Sequence, residues 1–129
     1  MDPISDMLIR LKNAQAVKHE SVEVPHSKLK AEILSVLEKN GYVGEVQKKG
    51  KKVKKFLAVT LLYGQDGVGR IGGLERVSKL SRRVYKKFSE LRPVRQGKGI
   101  LVVSTSKGLK TDLEAKKEKI GGEVLFKIW

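Results

Sequence analysis

Ser104, Thr105, Ser106, Lys107 and Gly108 stand in a row directly after the apolar run 100–103. Three hydroxyls, a cation and a glycine at a strand exit offer small donors and acceptors on closely approachable backbone. One or two hydroxyls would suffice to cap a helix or bond back onto a turn. Three in succession make a short polar shelf. Such a shelf suits the shallow minor groove of helical RNA, where 2′-hydroxyls, base edges and phosphates face outward and large side chains would be held off.

Other residues with chemical potential are less persuasive. Ser27/Lys30 and Ser104/Lys107 both fit S-x-x-K, but the companion motifs of an acylating enzyme are absent. His19 and His26 are the only histidines, and neither lies in metal-ligand spacing. No nucleophile, base and orienting acid form a set, so the chain reads as a non-enzyme, with no metal and no cofactor. Gly67, Gly69 and Gly72 spell G-x-G-x-x-G, the pattern of a dinucleotide phosphate turn. The chain that follows is too short for a doubly wound sheet, and the stretch reads as a linker. The run 48–55 carries six lysines. It suits either a phosphate-seeking hairpin tip or a solvated turn that keeps an edge strand soluble.

The totals point the same way. Lys and Arg number 28 against 14 acids in 129 residues, a net charge of +14. Self-repulsion on that scale calls for a polyanion: RNA, DNA or an anionic membrane surface. Six of the seven arginines fall after residue 64, and the arginine fork suits phosphate, so the second half is the better anion-binding candidate. Aromatic residues are only 5%, which argues against extended stacking on single-stranded bases. No segment reaches the ~18 apolar residues of a membrane span, and no secretory h-region follows the start. With no cysteine, disulfides and thiolate chemistry are excluded. The expected location is the cytoplasm.

The elements that must position the shelf follow from periodicity. Asp2 and Pro3 open a helix over 3–17, with Ile4, Met7, Leu8, Leu11 and Ala14 as its apolar stripe. "SVEVP" predicts a strand. Ser27 predicts the cap of a second helix with Leu29, Ile33, Val36 and Leu37 inward, stopped at Gly41. Two strands around a turn near Gly50 complete an N-terminal α/β domain, residues 1–64. In the second domain, 65–129, residues 74–88 fit strand or helix. "GILVVSTS" is a strand, and Thr111 with Glu114 forms a capping box for a helix over 110–120 closed by Gly121. "EVLFKIW" is a last strand with Val124, Phe126 and Ile128 on one side. The fold class is α+β: an N-terminal α/β domain and a mainly β C-terminal domain with a short helix.

The segment "GILVVSTSKGLKTDLEAKKEKIGGEVLFKIW" resembles the C-terminal signature of the eighth small-subunit ribosomal protein family. The features are S-T-S-x-G, T-D-x-x-A and G-G-E before a final strand. "DPISDMLIRLKNAQ", "SKLK" and "RVYKK" extend the resemblance over essentially the whole chain. It implies a primary rRNA-binding protein that binds a central-domain helix of small-subunit rRNA at an irregular internal loop and helps organise the platform. It also implies the fifth small-subunit protein as a neighbour and, in some bacteria, repression of the protein's own operon messenger. Carried over, Ser104, Thr105, Ser106 and Gly108 form the minor-groove turn with Lys107 beside it. Tyr85 would lie flat on RNA, Glu123 would support or contact the irregular core, and Pro3, Lys28 and Lys30 would touch a second RNA segment. The family commonly has Pro-Gly in S-K-P-G-x-R-x-Y; this chain has Leu80 and Ser81 in that place.

Overall fold

Apolar spacing at the start of the chain is realised as helix α1 (Pro3–Ala16), which buries Ile4, Met7, Leu8, Leu11 and Ala14. The computed structural model describes residues 2–129. Lys18, at φ 63°, ends this helical region as its amide and that of His19 bond back to Gln15 and Ala14. Strand β1 (Ser21–Pro25) leads to helix α2 (Lys28–Lys39), and Ser27 Oγ caps it by accepting from the Lys30 amide at 3.1 Å. The inward face of α2 is Ile33, Leu34 and Leu37, each fully buried. Leu29, expected inside, is exposed, and Val36 is only half-buried. Leu34 takes the place the spacing argument gave to Leu29, so the buried stripe is shorter and sits further along the helix.

Strands β2 (Val43–Lys49) and β3 (Phe56–Leu61) follow, and β3 is the centre of an antiparallel sheet ordered β1-β3-β2. Val59 is fully buried, whereas the lysine turn between β2 and β3 is solvent-exposed, with Val53 almost bare at its tip. Full burial contributes about 1.5–3 kcal/mol per large aliphatic side chain. The sheet and the two helices thus hold together chiefly by aliphatic side chains, with Tyr42 the one buried aromatic of this unit among the described residues.

The chain forms two compact units, Pro3–Ile71 and Gly72–Trp129, with Asp2 belonging to the second. Residues 64–73, expected as a glycine linker, carry defined structure. Tyr63 pairs with Gly69, the Gly64 amide bonds to the Val68 carbonyl at 2.8 Å, and Ile71 is buried. The Gln15 side chain brackets Ile71, donating to its carbonyl and accepting from its amide. A Cβ at Gly69 would collide with that same glutamine. Packing, then, accounts for this glycine. A strand rather than a helix follows Gly72, so the helix N-terminus that a dinucleotide turn requires is missing.

The second unit is built on strands β4 (Leu74–Arg76), β5 (Tyr85–Lys86), β6 (Ile100–Thr105), β7 (Gly108–Thr111) and β8 (Gly122–Ile128). All its pairings are antiparallel, in the order β4-β8-β6-β7, with β5 also on β8. Helix α3 (Asp112–Lys117) is shorter than the expected 110–120, because Lys110 belongs to β7. Its capping box stands: Thr111 Oγ1 accepts from the Glu114 amide, and Glu114 Oε1 accepts from the Thr111 amide. Positive φ at Lys119, not at Gly121, ends this segment. Leu91, Val103, Ala115 and Val124 form a buried cluster between α3 and the sheet. Leu125, which the alternating pattern assigned to the solvent side, is buried as well. Adjacent residues Val102 and Val103 pair with Phe126 and Val124, so Leu125 is the extra residue of a β-bulge.

Candidate nucleic-acid interface

The hydroxyl row forms the tip of a β-hairpin between β6 and β7, rather than a strand-to-helix turn. Thr105 pairs with Gly108, leaving Ser106 and Lys107 at the apex. Thr105 Oγ1 accepts from the Lys107 amide at 3.1 Å and donates to the Gly108 carbonyl at 2.7 Å. Gly108 sits at φ 101°, and the space where a Cβ would project is empty. The glycine is therefore required by the backbone turn and not by crowding. Of the three hydroxyls, Thr105 is consumed in shaping the tip. Those of Ser104 and Ser106 make no side-chain hydrogen bond among the described residues, and Ser106 and Lys107 are exposed.

Register aligns the rest of the site. Ser104 is paired with Glu123, and Glu123 with Tyr85, so three neighbouring strands place these residues side by side on one face of the sheet. Tyr85 is 69% exposed. Glu123 is largely covered, and its Oε2 accepts from Ser78 Oγ at 2.5 Å and from the Arg83 guanidinium at 3.0 Å. Burial works against the ionised form of Glu123. The Ser78 hydroxyl and the Arg83 charge outweigh it and hold the carboxyl below its ordinary range. The same contact raises the Arg83 guanidinium.

The neighbouring glycines explain the G-G-E sequence. A Cβ at Gly122 would strike the Ser104 carbonyl oxygen, and one at Gly121 the Lys86 carbonyl oxygen. Only glycine lets the segments carrying Tyr85 and Ser104 close on β8 from either side. An open groove of about 570 Å³ lies beside Tyr85, lined also by Phe88 and both glycines.

The turn at Leu80-Ser81 forms without Pro-Gly. Lys79 and Arg82 exchange both backbone hydrogen bonds, at 2.9 and 3.0 Å, with Leu80 exposed between them. This tight hairpin brings Arg83 and Tyr85 back onto β8. Ser78, fully buried, also accepts from the Val84 amide at 3.1 Å, so a single hydroxyl ties both arms of the hairpin to Glu123. Sequence reasoning passed over Ser78 and counted Arg83 only among the arginines of the second half.

Pro3, Lys28 and Lys30 belong to the first unit. Pro3 is the exposed first residue of α1, Lys28 the exposed first residue of α2, and Lys30, two residues on, is half-buried. His19 and His26 do not form a site, and no group of metal-ligating side chains occurs among the described residues. Nor is any helix long and apolar enough to cross a membrane.

A chain of two compact units, α+β in class, with a net charge of +14 and a hydroxyl-bearing hairpin tip is a small, strongly basic α+β protein. The model of the ribosomal protein S8 family matches residues 2–129, and the chain belongs to that family. It is 46% identical over 124 residues to the small ribosomal subunit protein uS8 of Rubrobacter xylanophilus, covering 96% of this chain and 94% of the relative. Identity to the proteins of the same name from Nocardia farcinica and Lysinibacillus sphaericus is 44% and 45% over 128 residues. Each of those matches covers 99% of this chain and 97% of the relative.

Proposed function

We propose that this chain is a constituent of the small ribosomal subunit that binds a central-domain helix of the subunit's rRNA and helps assemble the platform, in the cytoplasm. The observation that carries the reading is the juxtaposition on the second unit: two hydroxyls with no protein partner, Ser104 and Ser106, beside an exposed Tyr85 held in register. Ser104 and Ser106 meet the minor groove, with the Gly108 backbone and Lys107 beside them. Thr105 acts by holding the tip, and Tyr85 lies flat on the RNA. Glu123 supports this surface from between its neighbours rather than contacting RNA, because its carboxylate is already engaged by Ser78 and Arg83. Pro3, Lys28 and Lys30 offer the first unit's contact to a second RNA segment. The fifth small-subunit protein is the neighbour that family membership suggests. A similar element in the protein's own operon messenger is a second RNA target.

Affinity and selectivity come from different groups. Lysines and arginines neutralise phosphates and release counterions, an attraction that falls with salt. The hydroxyls select by contour. Gel-shift titrations on rRNA fragments and on random duplex RNA test this division. Ser106→Ala should lose ~1 kcal/mol on the correct fragment, the usual order for one hydrogen bond, and almost nothing on random duplex. Lys54→Ala should weaken all RNAs alike and flatten the salt dependence. Equal losses for Ser106→Ala on both RNAs would overturn the assignment.

A further inference from the structure

Arg95, Gln96 and Gly97 have φ values of 50°, 58° and 91°, three successive residues in the left-handed region, two of them not glycine. Side chains rarely adopt this conformation, and each such residue costs energy that the surroundings must offset. Here the loop is closed by the Gly97 and Gly99 amides, both donating to the Val94 carbonyl at 3.0 Å, and by Lys98 donating to Arg95 at 3.2 Å. The strained turn lays the Arg95 guanidinium over the Trp129 ring, 4.3 Å from its centroid. Trp129 is itself fixed: its amide donates to the Gly73 carbonyl, its carbonyl accepts from the Gly72 and Gly73 amides, and a Cβ on Gly73 would overlap the ring.

A guanidinium stacked on an indole uses one flat side and keeps its N–H edge available for a bidentate partner. Arg95 is exposed and pairs with no carboxylate among the described residues. With Gln96, Lys98 and Trp129 it lines an open depression of about 520 Å³. The site lies where β6 begins and β8 ends, the length of β6 away from the hydroxyl hairpin, about 17 Å at ~3.4 Å per residue.

We propose that Arg95, pre-set on Trp129 and joined by Lys98, is a second anion contact of this unit that grips a backbone phosphate of the bound RNA. It rests on the RNA-binding reading above and adds a phosphate anchor remote from the hydroxyl tip. An arginine whose orientation is already determined loses little freedom when it forms a bidentate bond, and the strained turn is the device that determines it.

Trp129 is the sole tryptophan, so its emission in the intact protein reports the site directly. The probe is the central-domain rRNA fragment, titrated at several salt concentrations against the native chain and Arg95→Gln, with circular dichroism to verify the fold and Arg95→Lys as the variant that keeps the charge. Binding of the RNA should change Trp129 emission. Arg95→Gln should weaken binding about ten-fold and reduce the slope of log affinity against log salt by about one. Arg95→Lys should keep the slope but not the full affinity. Unchanged affinity and slope in a folded Arg95→Gln protein that still loses affinity on Ser106→Ala would sink the anchor and leave the RNA-binding reading standing. Absence of RNA binding by the native chain would sink both. If poly-glutamate changes the Trp129 emission as RNA does, the site is a general carboxylate contact and the phosphate assignment falls.

Discussion

Ser78→Ala is the substitution that most directly interrogates the frame under the binding surface. The hydroxyl is fully buried, donates to Glu123 Oε2 at 2.5 Å and accepts from the Val84 amide at 3.1 Å. A hydrogen bond to a charged group contributes about 1.5–3 kcal/mol, and leaving a covered N–H without a partner costs about 1–3 kcal/mol. Arg83 cannot offset the loss. Its side chain is nearly half exposed, and exposed ion pairs contribute little. The two losses share one hydroxyl and are not independent, so the expected destabilisation is about 3 kcal/mol rather than their sum. Trp129 lies in the second unit and makes its unfolding visible in fluorescence. At an m-value of about 1.5 kcal/mol/M in urea, the midpoint should fall by about 2 M at pH 7. A shift below about 0.4 M would show that Ser78 contributes no more than a surface contact, and the account of how Tyr85 and Glu123 are held would fail.

Three further outcomes follow from the same geometry. Because the folded state holds Glu123 below the ordinary carboxyl value of 4.5, its contribution to stability is complete above that pH and is lost as pH falls through the folded value. The urea midpoints of the native chain and Glu123→Gln should therefore differ most near neutrality and converge in acid; a constant gap would contradict the charge-based explanation. Gly122→Ala and Gly108→Ala should behave differently in thermal unfolding. The first drives a methyl into the Ser104 carbonyl and should cost well over 2 kcal/mol, whereas the second meets open space and carries only the left-handed penalty of about 1–2 kcal/mol. Thr105→Val should lower stability by about 1 kcal/mol through the loss of both tip bonds, and RNA affinity should fall with it, as measured by melting and gel shift.

The parts of this fold legible in the sequence are those governed by short-range rules. Pro3 starting α1, Ser27 capping α2 and the Thr111–Glu114 box announce themselves because a cap needs particular residues at particular offsets. The short strands were less legible. Tyr85 and Lys86 form a two-residue strand whose existence depends on pairing with Gly122 and Glu123 more than thirty residues later, which no local pattern encodes. Strand β7 was hidden for the same reason: Gly108–Thr111 lacks strong alternation and is extended because β6 pairs with it. The hydroxyl row was visible as a site, but its division of labour was not. Only the folded turn shows that the Thr105 hydroxyl is used within the hairpin, while those of Ser104 and Ser106 make no side-chain hydrogen bond among the described residues. Leu125 deceived the alternation argument because a bulge adds a residue to one strand without changing composition.

If this face binds RNA as proposed, a carboxylate within it runs against a net charge of +14, yet its position gives it a use. Arg83 lies one strand away from the hydroxyl row, and an unpaired guanidinium there would seize any phosphate within reach, whatever the surrounding contour. Paired with Glu123 at 3.0 Å, its charge is locally offset by the carboxylate. The long-range attraction then comes from cations elsewhere, such as the lysine turn of the first unit, and is weakened by salt over about 8–10 Å. Close to the tip the outcome is decided by contact instead. On the proposed reading, Ser104 and Ser106 form their bonds only if the groove is shallow enough to admit the hairpin, and the Glu123–Arg83 pair beside them offers a poorly fitting polyanion no free cation. Selectivity in this arrangement arises from where positive charge has been cancelled as much as from where it is displayed.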